Sequence, residues 1–558
     1  MKRFLLSILI LSFAASALSA QDAAEKFNQF KQQSKQDYDT TQRRQKKAYL
    51  EFRDKVNKDF ADQMLKDWES VGARKPEPRR SAPQVVPEVK PREVPAEEPA
   101  VVKPAEEPKE EPKEEPAVVK PSEEPKADPL LERLTGPKED ARQEIAQVLS
   151  RPKPAPPVAP IIPFLEIYVE DTPFEVVEEN SGKWDDDLKI APLPVPAPGF
   201  QFYGTTCRVR YPEQNKFKIK SIENKSLSNL WLQLSKKSFD VVIFDCLKVK
   251  ESLDLCDWAY IQFINTFAGT IYQAGSNEAA YLSFYLLTQS GYKLRLSKDL
   301  EGRLHVLVGV DGTITGCPYW IFDGVNFVLI DNFKVDNMFV CNVEYHGETP
   351  AKLAITNRNS FTVKQTDVRT FKSAYDNLSA TGSANANLIN FYNDYPNFYM
   401  DNDPYSTWKY YALTPLTENT KAELYPALRE AVKGKSQAEA VTMLLHFVQT
   451  SLDYKVDEEV WGAERVFFGE ETLYYPYCDC EDRAILYSIL VRDILGLEVA
   501  LIYYPGHLAA ATAVEGGTGD YYELDGKRFF VTDPTFINAG IGDTMTCVRG
   551  LGAALLKL

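Results

Sequence analysis

One stretch of this chain is too rich in proline to fold into a packed domain. Residues 73–160 contain 20 of the 36 prolines in the 558-residue sequence, interspersed with glutamate and lysine. The octet EEPAVVKP occurs twice, at 97–104 and at 114–121. A segment of this composition buries too little apolar surface to offset its conformational entropy, and it favours extended, polyproline II-like conformations. We therefore predict a disordered linker over 73–160 that acts as a spacer, which holds the body of the protein away from whatever the N-terminal segment contacts.

The residues before this linker predict a signal peptide and a helical segment. Residues 1–20 combine a basic start with an apolar run that is short for a membrane span, which is typical of export to the periplasm or the extracellular space. We expect no transmembrane span elsewhere. Over 21–72 an apolar stripe recurs at helical spacing and comprises Tyr49, Phe52, Val56, Phe60, Met64 and Trp68. We predict an amphipathic helix or helical hairpin that self-associates as a coiled coil, binds a partner protein or packs on the body of the protein.

The composition excludes several classes of function. With a formal net charge of −16, no basic patch competes with the acidic excess, which argues against binding to nucleic acid. No Walker-type phosphate loop or dinucleotide fingerprint occurs, so we expect no cofactor. The eight cysteines permit disulfides in an exported chain, but their spacing matches no small disulfide scaffold. We expect most of them to be buried and unpaired.

Three units follow the linker. Residues 161–335 begin with strand-like sequence and continue into helices, which predicts a first globular unit. Residues 336–410 alternate short strands with loops rich in asparagine and tyrosine and are interpreted as a β-rich connector. Residues 411–558 form the third unit. The aromatic side chains near the end of the connector line a substrate cleft or pack an interface between units, and we favour the interface: Tyr392, Tyr395, Phe398, Tyr399, Trp408, Tyr410 and Tyr411.

A cysteine stands at the predicted start of a helix in the third unit. Apolar residues recur at helical spacing over 484–495, and Gly496 supplies a stop. Asp479 is a suitable N-cap residue, which places Cys480 in the first turn. There the unpaired N–H groups lower the pKa of a thiol from about 8.5 toward roughly 3.5–7.5 when a histidine also helps. The same groups can bind a developing oxyanion, so Cys480 is the candidate nucleophile.

Two further polar residues fall at the ends of predicted strands. The downstream sequence alternates turns with four apolar or β-branched runs at 497–504, 508–514, 521–524 and 527–532. His507 opens the second run, Asp525-Gly526 is a strong hairpin signal, and Asp533 follows the last run. Neighbouring antiparallel strands would place His507 beside Asp533. The carboxylate would then orient the imidazole, and the imidazole would deprotonate Cys480.

These motifs resemble the transglutaminase-like superfamily. The residues that carry the resemblance are C-E-D-R-A from Cys480, P-G-H ending at His507, and D-P-T from Asp533, within 411–558. The resemblance implies an α+β, papain-like fold with Cys480, His507 and Asp533 as the catalytic triad. Many members have glycine one or two places before the nucleophile, whereas this chain has Cys478-Asp479 there. Cys478 therefore stays open as a rival nucleophile or a disulfide partner. We expect no metal site, because Cys-X-Cys with one nearby histidine gives too few ligands for zinc.

The chain also repeats itself. Residues 319–331 align without gaps to 521–533, and the same offset carries His507 onto His305 and Asp533 onto Asp331. Gly291 matches Gly496 at a slightly larger offset, which carries Cys480 onto Gly275, and residues 263–266 resemble 447–450. We predict a duplicated core whose degenerate first copy lacks the thiol for covalent chemistry. It would dock against the second copy or bind substrate. The alternative is that two hairpins share an Asp-Gly turn by chance.

Together these features predict an exported cysteine amide hydrolase, a peptidase or amidase acting on a peptide or protein through a thioester. The resemblance equally implies protein-crosslinking acyl transferases, which use an amine instead of water in the second step. A third hypothesis is a catalytically silent binding or scaffold protein, tethered by its N-terminal helix.

Overall fold

The computed structural model describes residues 50–66, 68–75, 196–236, 239–331, 335, 337–462 and 464–558. The predicted signal peptide, the start of the helical segment and nearly all of the proline-rich linker lie outside these residues. The beginning of the predicted 161–335 unit also lies outside them.

The described part of the N-terminal segment packs on the body of the protein. Helix α1 spans residues 50–64. Its Phe60 and Met64 are buried, and the Phe60 ring lies 4.7 Å from that of Trp231. The Asn57 side-chain oxygen accepts a hydrogen bond from the Trp231 indole at 3.0 Å. Of the three alternatives for the apolar stripe, packing on the body is therefore the one observed over these residues.

The described residues before and after the proline-rich stretch belong to the same unit. Strand β1 (Glu69–Gly72) pairs antiparallel with Asn337–Cys341, and the Arg74 N–H donates to the Tyr319 carbonyl at 2.8 Å. On the other side of the stretch, the Tyr211 N–H donates to the Pro196 carbonyl at 2.8 Å. The linker was predicted to hold the body away from whatever the N-terminal helix contacts. This prediction is corrected, because the helix and strand before the linker pack on the unit that follows it.

The first unit places helices against one antiparallel sheet. Its helices are α2 (Asn224–Lys236), α3 (Asp240–Ser252), α4 (Asp257–Ile271) and α5 (Asn277–Gln289). Its strands are β2 (Gly199–Phe202), β3 (Thr205–Arg208), β4 (Leu294–Lys298), β5 (Leu304–Val310), β6 (Thr313–Ile314), β7 (Trp320–Phe322), β8 (Val325–Leu329) and β9 (Asn337–Cys341). The main sheet has the order β1-β9-β4-β5-β8-β7. Because β9 pairs with β4, this unit extends beyond the predicted boundary at residue 335.

The connector contains helices as well as strands. Its elements are β10 (Arg369–Lys372), β11 (Ser379–Gly382), α6 (Ala386–Asn393), β12 (Phe398–Tyr399) and α7 (Ser406–Leu413). Helix α6 begins where the Asn385 side chain accepts from the Asn387 N–H at 3.1 Å, a capping signal that the expectation of a β-rich connector overlooked. Strand β12 pairs with β6 of the first unit.

The C-terminal unit again combines helices with an antiparallel sheet. Its helices are α8 (Glu418–Val432), α9 (Gln437–Ser451), α10 (Asp457–Val460), α11 (Gly469–Tyr474) and α12 (Cys480–Leu490). Its strands are β13 (Asp453–Tyr454), β14 (Tyr477–Cys478), β15 (Val499–Tyr504), β16 (His507–Thr512), β17 (Tyr521–Leu524), β18 (Lys527–Thr532) and β19 (Ala554–Lys557). The sheet has the order β17-β18-β16-β15-β19. The fold is thus α+β, as predicted.

The two main sheets share a strand order. The first sheet contains the order β9-β4-β5-β8-β7, and the second has the order β19-β15-β16-β18-β17. When β5 is matched with β16, each neighbouring strand has a counterpart at the same place in the chain order. The two Asp-Gly hairpins also match, since Asp323 and Asp525 both have φ of 51° and their glycines have φ of 78° and 75°. The stretches of sequence that align therefore occupy equivalent places in the two sheets.

The dense aromatic residues of the connector are mostly buried against the C-terminal unit. The Tyr411 and Tyr392 rings stack on Phe468 at 3.9 Å and 4.2 Å. The Trp408 ring stacks on Tyr503 at 5.1 Å. These contacts confirm that the cluster packs an interface between the two segments. Over the described residues, no helix has the length and apolar character needed to cross a membrane.

Candidate active site

Cys480 is the first residue of α12, where the cap signals predict it. Asp479 occupies the N-cap position, and the Asp482 carboxylate accepts from the Asp479 N–H at 3.3 Å. Asp482 also accepts from the Phe467 N–H at 2.8 Å, which ties the helix start to the preceding loop. After one π-helical turn the chain ends this helical run at Gly496, which has φ of 67°. The half-buried Cys480 thiol therefore lies at the N-terminal end of the helix.

His507 and Asp533 meet as predicted. Strands β16 and β18 are neighbours, with Ala510 opposite Thr532, and His507 Nε2 lies 2.8 Å from Asp533 Oδ2. Burial lowers the pKa of His507, but the charge of Asp533 and its hydrogen bond outweigh burial and leave that pKa raised. The Asp533 carboxylate is itself buried, and its Oδ1 accepts from the Thr535 N–H at 2.9 Å. The imidazole is therefore oriented by a fixed carboxylate.

The Cys480 thiol does not have the lowered pKa that its position predicts. Burial, and then the charges of Glu481 and Asp479, raise the pKa of Cys480 well above its ordinary value. Cys480 Sγ donates to Glu481 Oε2 at 3.1 Å. An interaction with the Leu508 backbone N–H opposes the increase but does not reverse it. The prediction is wrong because burial and two adjacent carboxylates exceed the effect of the helix terminus.

The same Leu508 amide relates the thiol to the imidazole. Leu508 directly follows His507 on β16, so the Cys480 sulfur lies beside the strand that carries the imidazole. Helix α12 packs against this strand, and Tyr487 and Thr512 join their hydroxyls at 3.1 Å. The structure thus brings the three predicted residues to one end of the helix–sheet contact.

A group of acidic side chains surrounds the start of α12. One ligand atom each from Asp479, Cys480 and Glu481 lies within 4.8 Å of the others, and the same holds for Asp457, Glu464 and Glu481 and for Asp457, Asp479 and Asp482. All of these carboxylates except Glu464 are buried. Burial and their mutual repulsion raise the pKa of Asp479 and Asp482.

This group consists mainly of carboxylates, whereas the sequence analysis considered cysteine and histidine ligands for zinc. Carboxylate oxygens are the ligands that hard cations such as Ca²⁺ prefer. These residues can therefore hold a metal ion. The run C-D-C-E-D from Cys478 is the signal that could have revealed part of the group. Asp457 and Glu464 lie too far away in sequence to be recognised with it.

Cys478 is packed inside the protein and does not face the candidate site as an exposed thiol. It lies in β14 and is buried, and its Sγ donates to the Asp453 carbonyl at 3.6 Å. Burial raises the pKa of the Cys478 thiol to about 11. None of the eight cysteines forms a disulfide, and five of them are buried, which confirms the expectation that most are buried and unpaired. Cys478 is thus no disulfide partner here, and it is less accessible than Cys480.

The first unit places the aligned residues differently. His305 is fully buried, with Nδ1 3.0 Å from Asp331 Oδ2 and Nε2 3.0 Å from Asp299 Oδ2. Its pairing with Asp331 therefore uses the other ring nitrogen from that of His507. Gly275 lies two residues before α5 and lines a cavity of about 80 Å³ together with Asn265 and Asp331. Both ring nitrogens of His305 contact carboxylates, which favours the charged imidazolium. His305 therefore has the contacts of a residue that stabilises the fold.

A scan against protein-family models found no match for this chain. Searches of the curated proteins and of the solved structures likewise found none. The function proposed below therefore depends on the motifs and the geometry of the chain.

Proposed function

We propose that the protein is an exported, papain-like cysteine amide hydrolase of the transglutaminase-like type, with Cys480, His507 and Asp533 as its triad. The observation that carries the proposal is the 2.8 Å contact between His507 Nε2 and Asp533 Oδ2. The backbone N–H of Leu508, the residue after His507 on β16, interacts with the Cys480 sulfur. A carboxylate on one ring nitrogen selects the tautomer and leaves the other nitrogen for the proton of a nucleophile.

The reaction follows from these roles. His507 Nδ1 takes the thiol proton, and Cys480 Sγ attacks the carbonyl carbon of the substrate amide. The C–N bond then breaks as the imidazolium returns its proton to the leaving amine, and a thioester remains on Cys480. A water molecule that is deprotonated by His507 attacks the thioester. The C–S bond breaks, the imidazolium gives its proton to the departing Cys480 sulfur and so regenerates the thiol, and the carboxylic acid is released. The Cys480 backbone N–H helps to hold the oxyanion.

The resting arrangement opposes the first of these steps. The thiol proton lies toward Glu481, and the pKa of Cys480 is raised chiefly by burial. Formation of the thiolate therefore requires the thiol to turn from the Glu481 carboxylate to His507. Substrate that displaces the Glu481 side chain would favour this exchange, because it would remove the acceptor of the thiol hydrogen bond.

Alkylation of the full chain by iodoacetamide tests the proposal. We expect one cysteine to react with a pH profile that depends on His507, and the reaction to be lost in Cys480→Ala but kept in Cys478→Ala. Mixtures of peptides should then be hydrolysed by wild type and by Cys478→Ala only. Hydrolysis that survives in Cys480→Ala would refute the proposal. A primary amine added to the reaction separates hydrolysis from acyl transfer, because only a transferase would give the amide product in quantity.

The raised pKa of Cys480 favours a second candidate, a catalytically silent binding or scaffold protein. In that case no thiol of the native chain would react faster than a free model thiol. His507→Ala would leave alkylation unchanged.

We also infer that the first unit is a degenerate copy of the C-terminal unit. The shared strand order and the matching Asp-Gly turns support this origin. The sequence alignment places Gly275 opposite Cys480, and the first residue of the matching helix is Asn277. Neither position carries a thiol. The part of the first unit would be to dock against the second copy or to bind substrate.

A further inference from the structure

The turn that follows Asp533 is held by one buried glutamine. Gln449 lies near the end of α9, and its Nε2 is 3.1 Å from the Asp533 carbonyl oxygen, 2.8 Å from that of Phe536 and 3.1 Å from that of Ala539. Carbonyl oxygens only accept hydrogen bonds, so the amide nitrogen must face them and the amide oxygen cannot. A single side chain thus joins both ends of the turn to the helix that packs on α12.

This turn also aims the Asp533 carboxylate. Asp533 Oδ1 accepts from the N–H groups of Thr535 at 2.9 Å and Phe536 at 3.3 Å. These contacts leave Oδ2 directed at His507. Gln449 fixes the carbonyls of Asp533 and Phe536, two of the residues whose backbone determines where the carboxylate points. A shift of the turn would therefore move Oδ2 relative to the imidazole.

The first unit shows what stands at the aligned position. The repeat aligns Gln449 with Asn265, and a threonine follows each of these residues. The Thr450 and Thr266 hydroxyls each donate to the carbonyl four residues earlier, at 2.7 Å and 2.8 Å. Asn265 is one methylene shorter than glutamine and lines the 80 Å³ cavity beside Asp331. In that unit the aspartate pairs with Nδ1 of its histidine, and not with Nε2.

We propose that Gln449 is a positioning residue of the C-terminal site, which holds the Asp533 turn so that the carboxylate meets His507 Nε2. It contacts neither substrate nor the reacting atoms. Its consequence for catalysis rests on the proposed function, whereas its effect on the histidine–aspartate pair does not depend on any substrate.

The test compares Gln449→Asn, which reproduces the residue of the first unit, with Gln449→Met, which keeps the side-chain volume and removes the donor. The chain has only four histidines, so the His507 ring can be titrated by NMR in the full chain, with a chelator present. The groups that act on His507 are Asp533, which raises its pKa, and Glu481, which adds to the increase. Both variants should shift the His507 titration to lower pH. The variant Asp533→Asn, which removes the carboxylate itself, should shift it in the same direction and serves as the reference.

The rate of Cys480 alkylation gives a second readout. Because misplacement by about 1 Å can cost roughly 100-fold, we expect both Gln449 variants to lower the His507-dependent part of this rate by roughly 10- to 100-fold. The matched control is Gln289→Asn. That side chain also donates from Nε2, to Asn57 Oδ1 at 3.0 Å and to the Tyr345 hydroxyl at 3.1 Å, but it lies in the first unit. It should leave both readouts at the wild-type value.

A wild-type His507 titration in folded Gln449 variants would overturn the proposal. Loss of folding in both variants would also overturn it, because Gln449 would then serve the fold and not the triad. Failure of the proposed function is a separate result. In that case amide hydrolysis would survive in Cys480→Ala or be absent from wild type, while the His507 titration would still decide the role of Gln449.

Discussion

The Cys480 thiol and the His507 imidazole lie in electrostatic settings that both favour the protonated form. Asp533 raises the pKa of His507 against the effect of burial, and burial together with Glu481 and Asp479 raises the pKa of Cys480. A thiolate–imidazolium pair needs the first effect and is opposed by the second. Glu481 is therefore the side chain whose charge acts most directly on the Cys480 thiol, since it accepts the thiol hydrogen bond.

Glu481→Gln should make Cys480 more reactive. The change removes one negative charge beside the thiol, and a charge at about 4 Å is worth about 1 kcal/mol even at high dielectric, so iodoacetamide alkylation at pH 7 should rise by roughly fivefold. Glu523→Gln is the control, because this exposed glutamate lies on β17 and not on α12. An unchanged rate in Glu481→Gln would show that the charge of Glu481 does not control the reactivity of Cys480.

The His305 pair predicts a pH dependence of stability. Burial lowers the pKa of His305, but Asp331 and Asp299 outweigh it and leave that pKa raised above 6.5. The stabilisation is therefore fully present below pH 6.5 and is lost as the pH rises through the folded-state pKa. The pKa of Asp299 is lowered from 3.8 to about 2, so its contribution is present above pH 3.8 and is lost toward pH 2.

Thermal unfolding from pH 5 to 9 tests this contribution. Removing one partner of a buried ion pair costs about 3–5 kcal/mol, so His305→Gln should lower the free energy of unfolding most at the acidic end of the range. The exposed His346→Gln should follow the wild-type curve. Parallel curves for wild type and His305→Gln would contradict the assigned charge of His305.

At the scale of elements, the two Asp-Gly hairpins are the closest match between the first unit and the C-terminal unit. Each turn needs a left-handed conformation at both central residues, which suits asparagine, aspartate and glycine. A Cβ added at Gly526 or Gly324 would meet no atom within 4 Å. Any cost of a side chain there must come from the backbone conformation and not from packing.

Gly526→Ala and Gly324→Ala should therefore destabilise the protein by similar amounts, about 1–2 kcal/mol each, as measured by chemical denaturation. Gly382→Ala is the control. It lies in β11 without a left-handed φ, and its Cβ would meet Phe371 at an ordinary 3.5 Å. Clearly unequal costs at the two hairpins would show that the turns are not equivalent.

At the scale of the whole molecule, the residues before the proline-rich stretch complete the unit that comes after it. Helix α1 buries Phe60 and Met64, and β1 forms one edge of the six-stranded sheet. The stretch therefore joins two parts of the same packed unit.

A nicked chain should consequently remain in one piece. With a site-specific protease sequence introduced between residues 76 and 195, cleavage should give two bands on a denaturing gel and one species in native size exclusion. Phe60→Ala should weaken the association, because truncation of a buried phenylalanine costs about 3–5 kcal/mol. Phe52→Ala, at a side chain that is 50 % exposed, should not. Separation of the wild-type fragments under native conditions would contradict the docking of α1 and β1.

The sequence by itself determined what depends on near neighbours in the chain. The Asp479 cap, the Gly496 stop, the Asp525-Gly526 turn and the strand that ends before Asp533 were all predictable. A backbone conformation of this kind is selected by a few adjacent residues. The meeting of His507 with Asp533 followed, because neighbouring antiparallel strands leave few other arrangements.

Only the tertiary structure decided what depends on burial and on distant partners. The raised pKa of Cys480 needs the desolvation of the site and the direction of Glu481, and neither is encoded in the spacing of the motif. The hydrogen bond from Gln449 to the Asp533 carbonyl joins residues that are 84 positions apart in the chain. Strands β1 and β9, which pair with each other, lie on opposite sides of the proline-rich stretch in the sequence. Such contacts are selected by the packing of the complete fold, to which local sequence patterns contribute little.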